Sequence, residues 1–159
     1  MFDSDVAPHA VYFLRDLEMA SRTLGVKTTS APVRTDAEVE STLSLLGQRS
    51  GALLVLSDAF TVSHRRAIVR AAERHRVIAI CSFRGFAEDG GLMVYDDDTV
   101  QQFRGAADYV NRILNGAKPA ELPVQEPSKY EFIINLKAAK AIGVTVPYSM
   151  KLLADEVIE

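Results

Sequence analysis

GALLVLSD (51–58) and RVIAIC (76–81) are two unbroken apolar runs with one helix-length segment between them. A strand with one wet face alternates apolar and polar residues. An unbroken run marks a strand covered on both faces, as in a parallel sheet. Parallel neighbours need a long crossover, and residues 59–75 supply it. Val62, Ile68, Val69 and Ala72 recur there at helical spacing, with arginines on the other face. Ser57 or Asp58 is suited to cap the helix start. This unit commits the chain to an α/β class with an open, doubly wound, mostly parallel sheet.

The flanking segments extend the pattern. Ala10, Phe13, Leu14, Leu17 and Leu24 mark a first helix, with Gly25 at its C-terminal cap. VKTTSAPV (26–33) reads as a short strand entering a Pro turn. TDAE (35–38) is a capping box opening a helix with Val39, Leu43 and Leu46 on one face. SFRGFAEDGG (82–91) reads as an irregular loop and LMVY (92–95) as a strand. The acidic triplet Asp96, Asp97 and Asp98 precedes a helix carrying Val100, Phe103, Ala107, Val110 and Leu114, where acids suit the helix dipole. AKPAELPVQEPSK (117–129) has three prolines and reads as an extended connector. A strand, a short helix, a Pro turn and a last helical turn close the chain at 130–159, a helix–strand–helix extension.

Charge narrows the function. The net charge is -3, which argues against binding nucleic acid through a basic surface. The basic stretch SHRRAIVRAAERHR (63–76) reads as the solvated face of a helix. Cys81 is the only cysteine and lies among apolar neighbours, so an inert buried thiol is expected. No basic segment followed by an apolar one opens the chain, so as written it is expected to be cytoplasmic. His9, His64 and His75 have no metal-ligand spacing, and no nucleophile elbow or phosphate loop is present. No catalytic residue, metal or cofactor is expected.

Ligands of open α/β sheets bind beyond the carboxyl ends of the strands. Ser4 and Asp5 fall there, as do Ser57, Asp58, Phe60 and Thr61, then Phe83 and Arg84, then Tyr95. Asp58 is placed to pair an ammonium and Arg84 to fork a carboxylate, with Phe60, Phe83 and Tyr95 as an apolar wall. The ligand class this suggests is a small zwitterion or carboxylate. Each residue also has a plainer role: Ser57 and Asp58 as caps, the aromatic rings as packing, Arg84 as a surface charge.

AADYVNRILNGAKPAELPVQ (106–125) and NLKAAKAIG (135–143), with ADEVIE at the end, resemble the carboxyl-terminal part of ABC-transporter substrate-binding proteins of the type I periplasmic-binding fold. MFDSDVAP, LLVLSDAFTVSHR and HRVIAICSFRGFAEDGGLMVY are similar to successive blocks of the same family. The resemblance covers the chain in order. It implies one lobe, the second of two, at residues 1–90, and at 91–159 segments that return to pack on the first lobe or on a partner chain. It implies that Met1 and Phe2 are the tail of a cut central strand, and that most of the first lobe is absent. It also implies a periplasmic setting, an ABC permease as partner, and a small solute, with amino acids the better-understood ligands. The cleft residues it implies are Ser4, Asp5, Ser57, Asp58, Phe60, Phe83, Arg84 and Tyr95. Val94 and Asp96 depart from the family, which often has a small polar residue before the tyrosine and glycine after it. Apolar residues left bare on the helix at 99–115 lead to an expected homodimer with exchanged C-terminal segments.

Other readings start from the same residues. A cytoplasmic effector-sensing domain of this fold, acting through a partner, is the principal alternative. A receiver-type signalling domain would use Asp58 as phosphoacceptor, but the lysine expected after the last core strand is missing.

Overall fold

The computed structural model describes residues 1–159. Eight α-helices and one 3-10 turn surround a five-stranded sheet: α1 (Ala10–Leu24), α2 (Asp36–Gln48), β1 (Ala52–Val55), α3 (Ala59–Ser63), α4 (Arg65–Arg74), β2 (Ile78–Cys81), α5 (Gly85–Glu88), β3 (Met93–Asp97), α6 (Thr99–Leu114), β4 (Tyr130–Asn135), α7 (Leu136–Ile142), α8 (Tyr148–Leu153) and β5 (Glu156–Ile158). The strands lie in the order β1-β2-β3-β4-β5, and only the β3–β4 pairing is antiparallel. The α/β class with a mostly parallel sheet is the one the apolar runs require.

Beyond β1 the sheet continues in two short pieces. The Met1 nitrogen donates to the Leu54 carbonyl and the Leu56 amide donates to that of Met1. On its far side Phe2 bridges to Pro32, giving an amide to Ala31 and accepting one from Val33. The expected strand at 26–33 shrinks to this bridge, because its partner is two residues long and Pro32 has no amide to donate.

Burial differs from the expectation of two covered faces. Leu53, Val55, Ala79, Cys81, Val94 and Ile133 share one face through the strand register and are buried against α2, α4 and α5. Leu54, Ile78, Ile80 and Met93, on the other face, are only half-buried. That face is covered in patches. Phe2, Ala7 and Ala10 cluster beside Leu56 at one end, and Leu92, Ala139 and Ile142 beside Ile78 and Met93 at the other.

Strand pairing runs across residue 90. β3 pairs with β2, and β4 runs antiparallel to β3 over five residue pairs, from Met93–Ile134 to Asp97–Tyr130. β5 then pairs with β4. Residues 130–158 therefore complete this lobe's own sheet, and only 98–129 stand off it. Within that excursion no residue of α6 is buried, with Phe103 74% and Leu114 80% exposed. The Tyr109 hydroxyl donates to the Pro123 carbonyl and ties the connector back to the helix.

Local signals set the element ends. Thr35 accepts the Glu38 amide as predicted, but the Glu38 carboxylate returns to the Arg34 amide, one residue earlier than a capping box requires. Gly25 ends α1 at φ 66°, a left-handed conformation that glycine adopts without a Cβ penalty. Asp98 caps α6 through the Gln101 amide, and Lys129 holds its carboxyl below the usual range. The helix expected at 59–74 is broken at His64 into α3 and α4. The loop after β2 contains the single turn α5.

Candidate functional site

The parallel strands bring the loops after Phe2, β1, β2 and β3 to one edge, and the antiparallel β4 adds its first residues there. At the centre Asp58 is 8% exposed and caps α3. Its Oδ1 accepts the Thr61 amide at 2.8 Å and its Oδ2 the Asp3 amide at 2.9 Å. Asp58 thus braces the loop after the first strand against the loop after β1. Thr61 returns the contact by accepting the Asp58 amide at 3.0 Å while donating to the Leu56 carbonyl at 2.7 Å. Thr61 was expected at the ligand edge, but it is 0% exposed and its hydroxyl is spent within the protein.

Ser4 and Asp5 are exposed. The Arg34 guanidinium donates to both, at 3.2 Å to the Ser4 hydroxyl and 2.7 Å to Asp5. Those bonds hold Arg34 firmly in its charged form, with Asp5 the main cause. Ser57 is exposed, and Phe60 is half-buried and stacked on His64 at 4.1 Å between ring centres.

The second group lies across β2, β3 and β4. Arg84 is the N-cap residue of α5, and its guanidinium donates to Glu156 at 2.6 Å and Glu131 at 3.1 Å. Glu156 first, then Glu131, keep it charged. Its side chain stays 45% exposed. Phe83 is half-buried beneath α5, so close that a Cβ on Gly85 would meet its ring at 2.5 Å. Tyr95 is 52% exposed, stacked on Tyr130 at 5.6 Å and edge-on to Phe132 at 6.4 Å. Ser82 links the two groups, its amide and hydroxyl both donating to the Val55 carbonyl. No group of three or more His, Cys, Asp or Glu is arranged to hold a metal ion. Burial pushes the Cys81 thiol up to about 12.

Sequence reasoning missed Arg34, Tyr130, Glu131 and Glu156. Arg34 follows the Pro-Val turn and was hidden by the expectation that the chain there simply enters α2. The other partners of Arg84 and Tyr95 arrive only through β4 and β5, whose pairing no local signal announces.

Asp96 follows Tyr95 near the end of β3. Burial, then the neighbouring Asp97, push its carboxyl up to about 6. A raised carboxyl pKa favours the native state fully below about pH 4, and that contribution is lost as pH rises through 6. Asp96→Asn is therefore expected to gain about 1 kcal/mol over the wild type between pH 4 and pH 7, after discounting for the exposed part of the side chain. Melting temperatures of both proteins across this range test it. Their difference reports Asp96 together with its interaction with Asp97, because Glu40, held below the usual range by His75 and Arg74, contributes equally to both.

The sequence profile of the family described as ABC transporter substrate binding protein matches residues 6–158. The chain belongs to that family. Among solved structures it is similar to a conserved domain protein from Vibrio cholerae, at 26% identity and TM-score 0.82 over 93% of this chain and 50% of that one. A Streptococcus pneumoniae ABC domain, solved in complex with L-Trp, is similar at 24% identity and TM-score 0.81, over 94% and 50%. A ligand-free, open substrate-binding protein with adhesive properties from Clostridium difficile follows at 20% and 0.70, over 95% and 50%. No curated protein matches. The chain spans about half the length of the solved structures it matches. Family and fold agree with the resemblance read from residues 106–143.

Proposed function

We propose that this chain forms one wall of a cleft that binds a small amino acid or carboxylate without covalent chemistry, as part of an ABC-type transport system. The observation that carries this reading is Arg84. Its guanidinium sits at a strand end, partly exposed, on Glu131 and Glu156, which share the Val94 and Ile133 face of the sheet, while Tyr95 and Tyr130 stand exposed on the other face of the same strand ends. A solute carboxylate would take the fork that Glu156 and Glu131 now occupy, with Tyr95 at the end of β3 as an apolar edge to the site. Ser4, Asp5, Ser57 and Phe60 line the other half of the edge, and Asp58 holds that half in position. Family membership supports a solute, and the L-Trp held by the pneumococcal neighbour makes aromatic amino acids the first probes. An ABC permease is the partner this reading implies.

We also propose that a second copy covers α6. The side chains of Phe103, Val110 and Leu114 are exposed on a helix with no buried residue, a surface that favours association. Because residues 130–158 pack on their own chain, exchange between copies involves only 98–129.

One sample tests both ideas. Chromatography with in-line light scattering is expected to give a dimer at micromolar concentration. A thermal-shift screen of amino acids and small carboxylates is then expected to find a ligand that raises the melting temperature. At about tenfold over its dissociation constant the rise is about 3–6 °C. A stable monomer would remove the dimer, and a protein indifferent to every probe would remove the solute.

A further inference from the structure

A second cavity, of about 350 Å³, lies between α4 and α7. It opens at the other edge of the sheet. Its lining includes Val77, just before β2, Leu92, just before β3, and Asn135, the last residue of the antiparallel β4. The candidate solute residues sit at the opposite ends of these strands, and none of them lines it. α4 contributes Ile68 and Ala72, and α7 contributes Ala138 and Ile142.

We infer that this cavity binds a small, neutral, straight-chain aliphatic molecule of about six carbons. Its volume falls within the range of small-molecule sites, about 300–1,000 Å³. Walls without a partner atom forfeit dispersion contacts that an apolar guest supplies. The lining holds no aromatic ring against which a flat guest would stack. Asn135 is its one buried polar side chain, and Asn135 Oδ1 already accepts the Ala138 amide at 3.0 Å. The exposed Glu73 and Lys137 complete the lining with one charge of each sign. A neutral hydroxyl finds a donor and an acceptor there, whereas for a carboxylate or an ammonium the two charges offset each other and leave no net attraction to repay its desolvation.

The test uses 1-hexanol, hexanoate and hexylamine on the full chain. Thermal shift is expected to show stabilisation by 1-hexanol of about 3–6 °C at tenfold over its dissociation constant. Intermolecular NOEs from the alkyl chain should reach the Leu92 and Ile142 methyl groups. Ala72→Leu and Ala138→Leu each fill the cavity and should abolish the shift, and either variant suffices if the other fails to fold. Absence of those NOEs, an undiminished shift in the folded variants, or tighter binding of hexanoate or hexylamine than of 1-hexanol would each overturn the inference.

Discussion

Replacing Asp58 with alanine should lower the melting temperature by about 6–12 °C. The side chain is buried and accepts two backbone amides, Asp3 from one loop and Thr61 from the next. Losing a helix cap costs about 1 kcal/mol, and each buried amide left without a partner costs about 1–3 kcal/mol. A total of about 3 kcal/mol converts to that temperature range for a chain of this size. Asp58→Asn keeps one acceptor oxygen and should lose about half as much. Calorimetry on the three proteins checks the order. An alanine variant as stable as the wild type would show that the loop after Phe2 is held by something other than Asp58.

Arg84→Met should weaken solute binding by about 30-fold or more. A charge-assisted fork to a carboxylate is among the stronger contacts a partly exposed site can make, about 2 kcal/mol or more when the partner is left unpaired. Stability should change little, because the ion pairs of Arg84 with Glu131 and Glu156 are exposed and worth at most about 1 kcal/mol each. Glu156→Gln should act in the opposite direction and tighten carboxylate binding, since Glu156 competes for the same guanidinium. Calorimetric titration of the three proteins with the ligand found by screening measures both effects. Equal affinities across all three would take Arg84 out of the site.

What the sequence made legible was local. The apolar runs at β1 and β2, the caps at Thr35, Asp58 and Asp98, and Gly25 after α1 all carry their structural meaning within a few residues. The bare face of α6 was likewise readable from its spacing. What failed was non-local. YEFIIN reads as a strand whichever way it pairs, so its antiparallel union with β3 was invisible. EVI is too short and too closely flanked by charge to show a strand period. The site suffered in consequence. Its candidate residues were chosen by their position at strand ends, but the carboxylates that hold Arg84 and the ring that stacks on Tyr95 come from those late strands. Thr61 was included because a hydroxyl near a strand end resembles a ligand contact, and only the packing shows that hydroxyl spent internally.

The most direct test of the central claim is chemical-shift mapping of the amide spectrum during titration with L-tryptophan, L-phenylalanine and succinate. The account predicts perturbations concentrated at residues 3–5, 57–60, 82–84 and 95–97 with at least one of them. Shifts confined to other parts of the chain, or none with any of the three, would contradict it.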